Sequence, residues 1–303
     1  MTKMGRFRSE SGRARFAEAY EAALAEMDPP SRALDLRTAF GTVRAYIWNG
    51  SRPAAAPVVL LPGMSSGTPM WSMNLPGFRA SGRTVIAFDA LGDAGMSVQQ
   101  TPLRSMADQA RWVEDALAEL GHSAVHSVGH SFGGATAANH ALRFPRRIAS
   151  LTLLEPAFTL GWPPASTFFW ATVSVLPVPG SWREHSLATL GGVSVDEVRA
   201  ESAIGTMISV AAQTYTSALP TPRPLSDAQL QSLRMPVYVA IGGRASLAGG
   251  AKAARRAERH LGEGTVDVWS GATHSLPMQV GDRLEPRLRE FWQSAGDASP
   301  VVD

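Results

Sequence analysis

Residues 124–134 read Ala-Val-His-Ser-Val-Gly-His-Ser-Phe-Gly-Gly, and this stretch decides the fold. A short apolar run enters a glycine-flanked serine, and an alanine-rich helical pattern follows. The order strand, tight turn, helix pushes the side chain of Ser131 into a sharp corner where a base can reach it. Gly129, Gly133 and Gly134 suit such a turn because a crowded elbow leaves no room for a Cβ atom.

The pattern therefore predicts Ser131 as a nucleophile. An ordinary strand-to-helix turn and a phosphate-binding loop are the alternatives, although no lysine follows the glycines as a phosphate loop requires.

Apolar runs like the one before Ser131 recur along the chain and alternate with helical patterns. They predict strands at 58–61, 84–88, 124–128, 151–154, 237–241 and 265–269, and helices at 106–120, 135–144 and 251–261. This alternation predicts an α/β class fold with a mostly parallel central sheet and helices on both faces. A helix over 10–27 and a strand pair over 38–48, turning at Gly41, precede it.

One segment interrupts the alternation. Residues 158–224 contain no convincing buried strand, but they are rich in aromatic residues and bounded by prolines, which favours an inserted helical cap. The predicted organisation is an N-terminal helical extension (1–35), an α/β core (36–157 and 225–294), the helical cap (158–224) and a loose C-terminal tail (295–303).

A serine nucleophile needs a base and donors for the developing oxyanion. His274 follows the last predicted strand and its loop, from which an imidazole can reach back over the elbow; a hydrogen-bonded loop histidine is the alternative. The oxyanion donors predicted are the amide of Phe132, next after the nucleophile, and the amide of Met64, in a glycine loop after the strand 58–61. A plain glycine turn would also explain that loop.

These motifs resemble the α/β-hydrolase superfamily, specifically its serine hydrolase branch with a cap after the sixth strand. Leu-Pro-Gly-Met at 61–64 stands where the family has a His-Gly loop, and residues 89–97 stand where it has a D-x-x-G-x-G-x-S loop. Gly-Ala-Thr-His at 271–274 looks like the family's G-x-x-H. The resemblance implies the α/β-hydrolase fold, the base role of His274 and a structural role for Asp89.

Two positions depart from the family pattern, since Pro62 replaces the usual His and Asp93 stands where His or Tyr is common. The composition and the N-terminal helix look like those of actinobacterial members.

The acid of the triad is not where the resemblance predicts it. The family's usual acid follows the strand 237–241, but residues 242–246 read Gly-Gly-Arg-Ala-Ser and contain no carboxylate. Some members place this acid after the preceding strand, and Glu155 stands there. We therefore predict Glu155 as the acid. For Glu155 the alternatives are a solvated strand-end glutamate and an ion pair with Arg147 or Arg244. For the acid they are Asp93, Asp227 and Asp267, or a Ser–His dyad without an acid.

Composition limits the classes of protein. The chain has 303 residues, 45% of them apolar and 18% charged, with a formal net charge of +2, which is typical of a globular protein and not of a nucleic-acid binder. It contains no Cys, no signal-peptide pattern and no apolar run long enough to span a membrane. A cytoplasmic location is expected, and a homodimer remains open.

Together these features predict a serine hydrolase that cleaves a carboxylic ester or thioester of a small, largely apolar substrate, with no metal and no organic cofactor. Gly63, His130, Trp162 and Phe169 are the predicted substrate-binding residues. A non-catalytic ligand- or partner-binding protein on the same fold is the main alternative. Hydrolysis of C–C bonds and peracid formation are alternatives within the same site.

Overall fold

The computed structural model describes residues 4–176, 178–199 and 202–297 of the chain. In chain order the strands are β1 (Arg6–Phe7), β2 (Arg32–Thr38), β3 (Gly41–Trp48), β4 (Val58–Leu61), β5 (Val85–Phe88), β6 (Val98–Gln99), β7 (Val125–His130), β8 (Ile148–Leu154), β9 (Tyr215–Thr216), β10 (Val237–Gly242) and β11 (Gly264–Trp269). The α-helices are α1 (Glu10–Leu24), α2 (Leu75–Arg79), α3 (Met106–Glu119), α4 (Phe132–Arg143), α5 (Ala165–Val175), α6 (Gly180–Gly191), α7 (Val195–Arg199), α8 (Ala203–Thr214), α9 (Asp227–Gln231), α10 (Gly250–His260), α11 (Leu276–Gln279) and α12 (Gly281–Ala295).

A twisted sheet forms the centre of the molecule, in the order β11-β10-β8-β7-β4-β5-β3-β2, with β6 paired to β3. The six strands from β11 to β5 in that order run parallel. Strands β2, β3 and β6 add antiparallel pairs at one edge. The six predicted apolar runs all lie in the parallel part, which confirms the mostly parallel sheet.

Helices cover both faces of this sheet, which explains why the central strands are continuously apolar. Every residue of β4, β7, β8 and β10 is buried. One core cluster joins one face to α3, α4 and α10, and a second joins the other face to α1, α2 and α12. The parallel strands end together at one edge, where the loops that follow β4, β7, β8, β10 and β11 meet.

The antiparallel edge is present, but its first strand lies earlier than predicted. β2 covers Arg32–Thr38 and pairs with β3 from Gly41 onward, so the turn falls on residues 39 and 40. The Thr38 hydroxyl closes this turn by donating to the Gly41 carbonyl at 2.8 Å. The sequence pattern does not indicate β2, because most of its residues are exposed or half-buried and no apolar run marks the strand. The predicted boundary at residue 35 therefore falls inside a strand.

Helix α1 is anchored to the core rather than merely attached to it. The Ser9 hydroxyl caps its first turn by accepting from the Gly12 amide. Phe16, Tyr20 and Ala23 form its buried face. Tyr20 reaches the loop after β5, where its hydroxyl donates to the Asp89 carboxylate at 2.8 Å.

Helices α5 to α8 follow β8 and precede β10, and β9 in this segment pairs with β1 instead of the central sheet. This arrangement agrees with an inserted helical cap, whose boundaries at 158 and 224 stay a prediction.

The predicted loose tail is wrong at its beginning. Helix α12 runs to Ala295, and the Asp297 carboxylate forms an ion pair with the guanidinium of Arg83, which is only 3% exposed and needs a counter-charge. Residues 298–303 of that tail lie outside the described residues.

None of the helices within the described ranges has the length and hydropathy needed to cross a bilayer.

Candidate active site

The turn between β7 and α4 places Ser131 in a strained backbone conformation, with φ 53° and ψ −119°. Non-glycine residues rarely adopt a positive φ, and such strain is held in place by the surrounding structure. Close approach of the flanking backbone explains the glycines: a Cβ atom on Gly129 would lie 2.3 Å from the Gly133 carbonyl oxygen, and one on Gly133 would lie 2.2 Å from that of Leu61. The sequence therefore forces the serine into the predicted corner.

Three of the predicted residues meet in one chain of hydrogen bonds. The Ser131 hydroxyl donates to His274 Nε2 across 2.9 Å, and His274 Nδ1 donates to Glu155 Oε2 across 3.1 Å. Glu155 is fully buried, and Ser131 and His274 are 9% and 8% exposed. With Nδ1 protonated toward the carboxylate, Nε2 is left as the acceptor that a base requires.

Glu155 stands directly after β8 with φ 45°, another strained backbone position. Donors from the end of β10 and the loop that follows surround its carboxylate: the Gly242 amide at 2.6 Å, the Ser246 hydroxyl at 2.7 Å and the Leu247 amide at 3.0 Å. A buried carboxylate needs such compensation. The loop that lacks an acid thus supplies hydrogen-bond donors to an acid on the neighbouring strand.

The other acids considered for the triad have different partners. Asp227 pairs with Arg256 and Asp267 with Arg287, while Asp93 accepts a hydrogen bond from the Ser65 amide. The sequence did not predict the contact of Ser246 with Glu155. Its signal is the serine of the Gly-Gly-Arg-Ala-Ser stretch, whose hydroxyl can donate to a carboxylate on the neighbouring strand.

His130 lies beneath His274 rather than along an open surface. Its Nε2 donates to the His274 carbonyl at 2.9 Å, and the two rings lie 4.9 Å apart. Burial and, to a lesser extent, the neighbouring His274 lower the pKa of His130 to about 3. The neutral His130 ring therefore holds the backbone of His274, and its predicted role in binding substrate stays a prediction.

The loop after β4 lies beside the nucleophile. A Cβ atom on Gly63 would lie 3.4 Å from Ser131 Cβ and 3.0 Å from His130 Nδ1, so Gly63 leaves space next to the serine. Met64 follows, with a side chain 53% exposed. Phe132 is the first residue of α4, and the first amides of a helix have no acceptor within the helix. Both predicted oxyanion donors thus come from segments that adjoin Ser131.

Asp89 holds this part of the site together. Its buried carboxylate accepts from the amides of Thr68 and Met96, each at 2.8 Å, and from Tyr20. Burial raises the pKa of Asp89 despite these donors. The arrangement agrees with the structural role that the family resemblance implies.

The two cap aromatics predicted to bind substrate are exposed and pack against other rings. Trp162 is 57% exposed and packs edge-on against Phe158, and Phe169 is 56% exposed and packs against Trp170. Their role in binding substrate stays a prediction.

A cavity of about 520 Å³ lies between α6 and the loops after β10 and β11. His185 and Thr189 line it from the cap, and Arg244, Ala245 and Thr273 line it from the core. Thr273 precedes His274 in the chain, but Ser131, His274, Met64 and Phe132 do not line the cavity. Its volume is in the range of small-molecule sites. Over the described residues, no group of three or more His, Asp or Glu is arranged to hold a metal ion.

Comparison with known proteins identifies similar chains. A family model described as alpha/beta hydrolase fold matches residues 56–179. The chain is 24% identical over 286 residues to the protein named uncharacterized carboxylesterase nap of Bacillus subtilis (strain 168), across 92% of this chain and 93% of that protein. It is 32% identical over 148 residues to carboxylesterase YbfK of the same organism, across 49% of each.

Solved structures give the same result over nearly the whole chain. The crystal structure of naproxen esterase (carboxylesterase NP) from Bacillus subtilis superposes with a TM-score of 0.85 at 22% identity, covering 94% of this chain and 99% of that one. This likeness confirms the predicted fold class.

Proposed function

We propose that this chain, which belongs to the α/β-hydrolase superfamily, is a serine esterase that hydrolyses a small, largely apolar carboxylic ester through an acyl-enzyme on Ser131. The observation that carries the proposal is the relay of two hydrogen bonds, Ser131 Oγ to His274 Nε2 at 2.9 Å and His274 Nδ1 to Glu155 Oε2 at 3.1 Å. A serine hydroxyl is a weak nucleophile until a base takes its proton, and this relay supplies that base already oriented.

In the acylation step, Ser131 Oγ attacks the ester carbonyl carbon while its proton passes to His274 Nε2. The π electrons of the carbonyl group move to its oxygen. The amides of Met64 and Phe132 donate hydrogen bonds to the negative oxygen that results. The Glu155 carboxylate stabilises the imidazolium that forms. When the tetrahedral intermediate collapses, the C–O bond to the alcohol breaks, and the leaving oxygen takes the proton from Nε2.

Deacylation repeats the same steps with water. His274 Nε2 takes a proton from the water, whose oxygen attacks the acyl carbon, and the same two amides receive the charge again. Collapse expels Ser131 Oγ, which recovers its proton from Nε2. The net reaction consumes an ester and water and releases a carboxylic acid and an alcohol, with no further reactant.

One observation supports an ester as the substrate class. Relatives that match this chain carry the name carboxylesterase, one of them over 92% of this chain. A thioester reacts by the same steps, so it belongs to the same proposal.

The argument for a non-catalytic binding protein is that no carboxylate directly follows β10. The contact between Glu155 and His274 weakens that argument, because an acid is available from β8. Neither C–C bond hydrolysis nor peracid formation has an observation of its own in its favour.

Three statements about the surroundings of the protein stay predictions. They are the cytoplasmic location, the absence of a nucleic-acid partner and the open question of a homodimer. Cell fractionation, nucleic-acid binding assays and sedimentation analysis would test them in turn.

Labelling with a fluorophosphonate tests the proposal. We expect one covalent adduct on the wild-type protein, mapped to Ser131 by mass spectrometry, together with hydrolysis of p-nitrophenyl acetate. The Ser131→Ala variant should lose both. Ser127→Ala is the matched control, because Ser127 is a buried serine on β7, the strand that leads to Ser131, and it should keep both. A wild-type protein that neither reacts nor hydrolyses any ester of a panel would overturn the proposal.

A further inference from the structure

The backbone amides on both sides of Met64 donate hydrogen bonds to side chains from outside its loop. The Gly63 amide, just before it, donates to the sulfur of Met70 at 3.2 Å. The Ser65 amide, just after it, donates to Asp93 Oδ2 at 2.6 Å. The two neighbouring amides are thus occupied by protein acceptors, which fixes the direction of the peptide groups around Met64.

The loop needs such support because its own sequence does not favour its conformation. Ser65 has φ 61°, in the left-handed region that non-glycine residues avoid. The hydrogen bond that closes the turn, from the Ser66 amide to the Gly63 carbonyl, is long at 3.3 Å. The Met64 side chain is half exposed, and the Ser66 hydroxyl donates to the Met64 carbonyl at 3.2 Å. The shorter contact from outside the loop, to Asp93, therefore contributes to where the Met64 amide points.

Burial of the Asp93 carboxylate at this position lowers the stability of the folded protein. It is only 2% exposed, and within the described residues its Oδ1 has no hydrogen-bond partner. Burial raises the pKa of Asp93 to about 6, against the lowering effect of the Ser65 and Ala94 amides and the Ser217 hydroxyl. Asp89 and Tyr215 face it as further titratable groups. An incompletely compensated buried carboxylate costs folding free energy, so its use calls for another explanation.

We propose that Asp93 and Met70 are positioning residues that aim the Met64 amide at the oxygen of the tetrahedral intermediate. This inference rests on the proposed esterase function. An oxyanion donor acts only when it is fixed in place before the charge develops, since reorienting it during the reaction would cost the energy it supplies. The carboxylate on one side and the thioether on the other provide that fixation.

The kinetic consequence differs from that of a merely structural residue. Loosening the donor weakens binding of the transition state and not of the ester, so kcat falls while KM stays close to the wild-type value. For Asp93→Asn, which keeps the shape but replaces a charged acceptor with a neutral one, we expect kcat to fall about 10-fold to 100-fold. For Met70→Leu, which keeps the volume but removes the sulfur, we expect a loss of about 3-fold to 10-fold.

An aryl trifluoromethyl ketone is the probe that reports on the hole directly, because its hemiketal adduct on Ser131 carries a charged oxygen at the position of the oxyanion. Its inhibition constant should rise in Asp93→Asn and in Met70→Leu by the same factor by which kcat/KM for p-nitrophenyl acetate falls. Glu285→Gln is the control, since Glu285 is also a buried carboxylate with a raised pKa, but it accepts a hydrogen bond from Asn74 and not from an amide next to Met64. It should leave both quantities unchanged.

The outcomes separate this inference from the proposed function. A wild-type protein that hydrolyses no ester and takes no fluorophosphonate contradicts the esterase itself. An active wild-type protein whose folded Asp93→Asn variant keeps wild-type kcat and inhibitor affinity overturns the positioning role. Should Asp93→Asn not fold, the same two measurements on Met70→Leu decide in the same way.

Discussion

Two buried carboxylates lie on either side of Ser131, and they are supported very differently. On the acid side, Glu155 accepts hydrogen bonds from Gly242 at the end of β10, from Ser246 and Leu247 in the loop that follows, and from His274. On the oxyanion side, Asp93 accepts one short hydrogen bond from Ser65 and keeps an oxygen without a partner among the described residues.

The difference shows that hydrogen-bond donors compensate the burial of Glu155 more completely than that of Asp93. A carboxylate that must keep its charge beside an imidazole is surrounded by donors, which replace the water it has lost. Asp93 has fewer donors, and burial raises its pKa to about 6. Donors therefore surround the Glu155 carboxylate on the acid side, whereas Asp93 on the oxyanion side carries a charge that responds to pH.

The largest expected effect is on the acid side. Glu155→Gln leaves the shape of the site unchanged but removes the charge that stabilises the imidazolium, and the amide can present the wrong group to His274 Nδ1. We expect kcat for p-nitrophenyl acetate to fall by about three to four orders of magnitude, with the circular dichroism spectrum unchanged.

Glu285→Gln serves as the matched control for that variant, and its kcat should equal that of the wild type. Near-full activity in Glu155→Gln would remove Glu155 from the relay and return the choice of acid to the other carboxylates.

The second effect concerns stability on the oxyanion side. The pKa of Asp93 rises from 3.8 in its unperturbed state to about 6 in the folded protein. The folded state therefore binds this proton more tightly than the unfolded chain does, and this carboxyl makes the protein less stable as pH rises between those values. A difference of that size corresponds to about 3 kcal/mol as an upper bound.

Asp93→Asn removes this titration while keeping the shape. The free energy of unfolding of the wild type minus that of the variant, measured with urea, should fall by up to about 3 kcal/mol between about pH 4 and pH 7. A difference that stays constant over this range would mean that Asp93 has the same pKa in both states.

The smallest expected effect concerns the hydrogen bonds that the protein donates to the Glu155 carboxylate. Ser246→Ala removes one donor from Oε1 and leaves the Gly242 amide on the same oxygen. We expect kcat to fall about 10-fold, because hydrogen bonds to charged groups contribute about 1.5–3 kcal/mol. Ser294→Ala is the control, since that hydroxyl only donates to a helix carbonyl near the chain end. Unchanged turnover in Ser246→Ala would show that the remaining donors suffice.

The parallel sheet and the nucleophile could be predicted because their determinants are local. The apolar strand and the glycines around Ser131 indicate the tight turn directly. The backbone there leaves no room for a Cβ atom at Gly129 or Gly133. His274 followed from its place after the last strand. Glu155 was accessible only through the family resemblance together with the absence of an acid at residues 242–246.

The remaining features depend on contacts that no local pattern encodes. Ser246 reaches Glu155 across 91 positions of the chain, and the Asp93 carboxylate meets the Ser65 amide across 28. The partly exposed strand β2 lacks the apolar run that marked its neighbours. The contacts of Trp162 and Phe169 depend on how the helices between β8 and β10 pack, which aromatic content alone does not determine.

A crystal structure of the protein phosphonylated on Ser131 tests the central claim most directly. The account predicts that the charged phosphonyl oxygen lies within about 2.7–3.1 Å of both the Met64 and Phe132 amide nitrogens. It also predicts that His274 remains in contact with Glu155. An adduct whose oxygen points to solvent, with His274 turned away from that carboxylate, would contradict it.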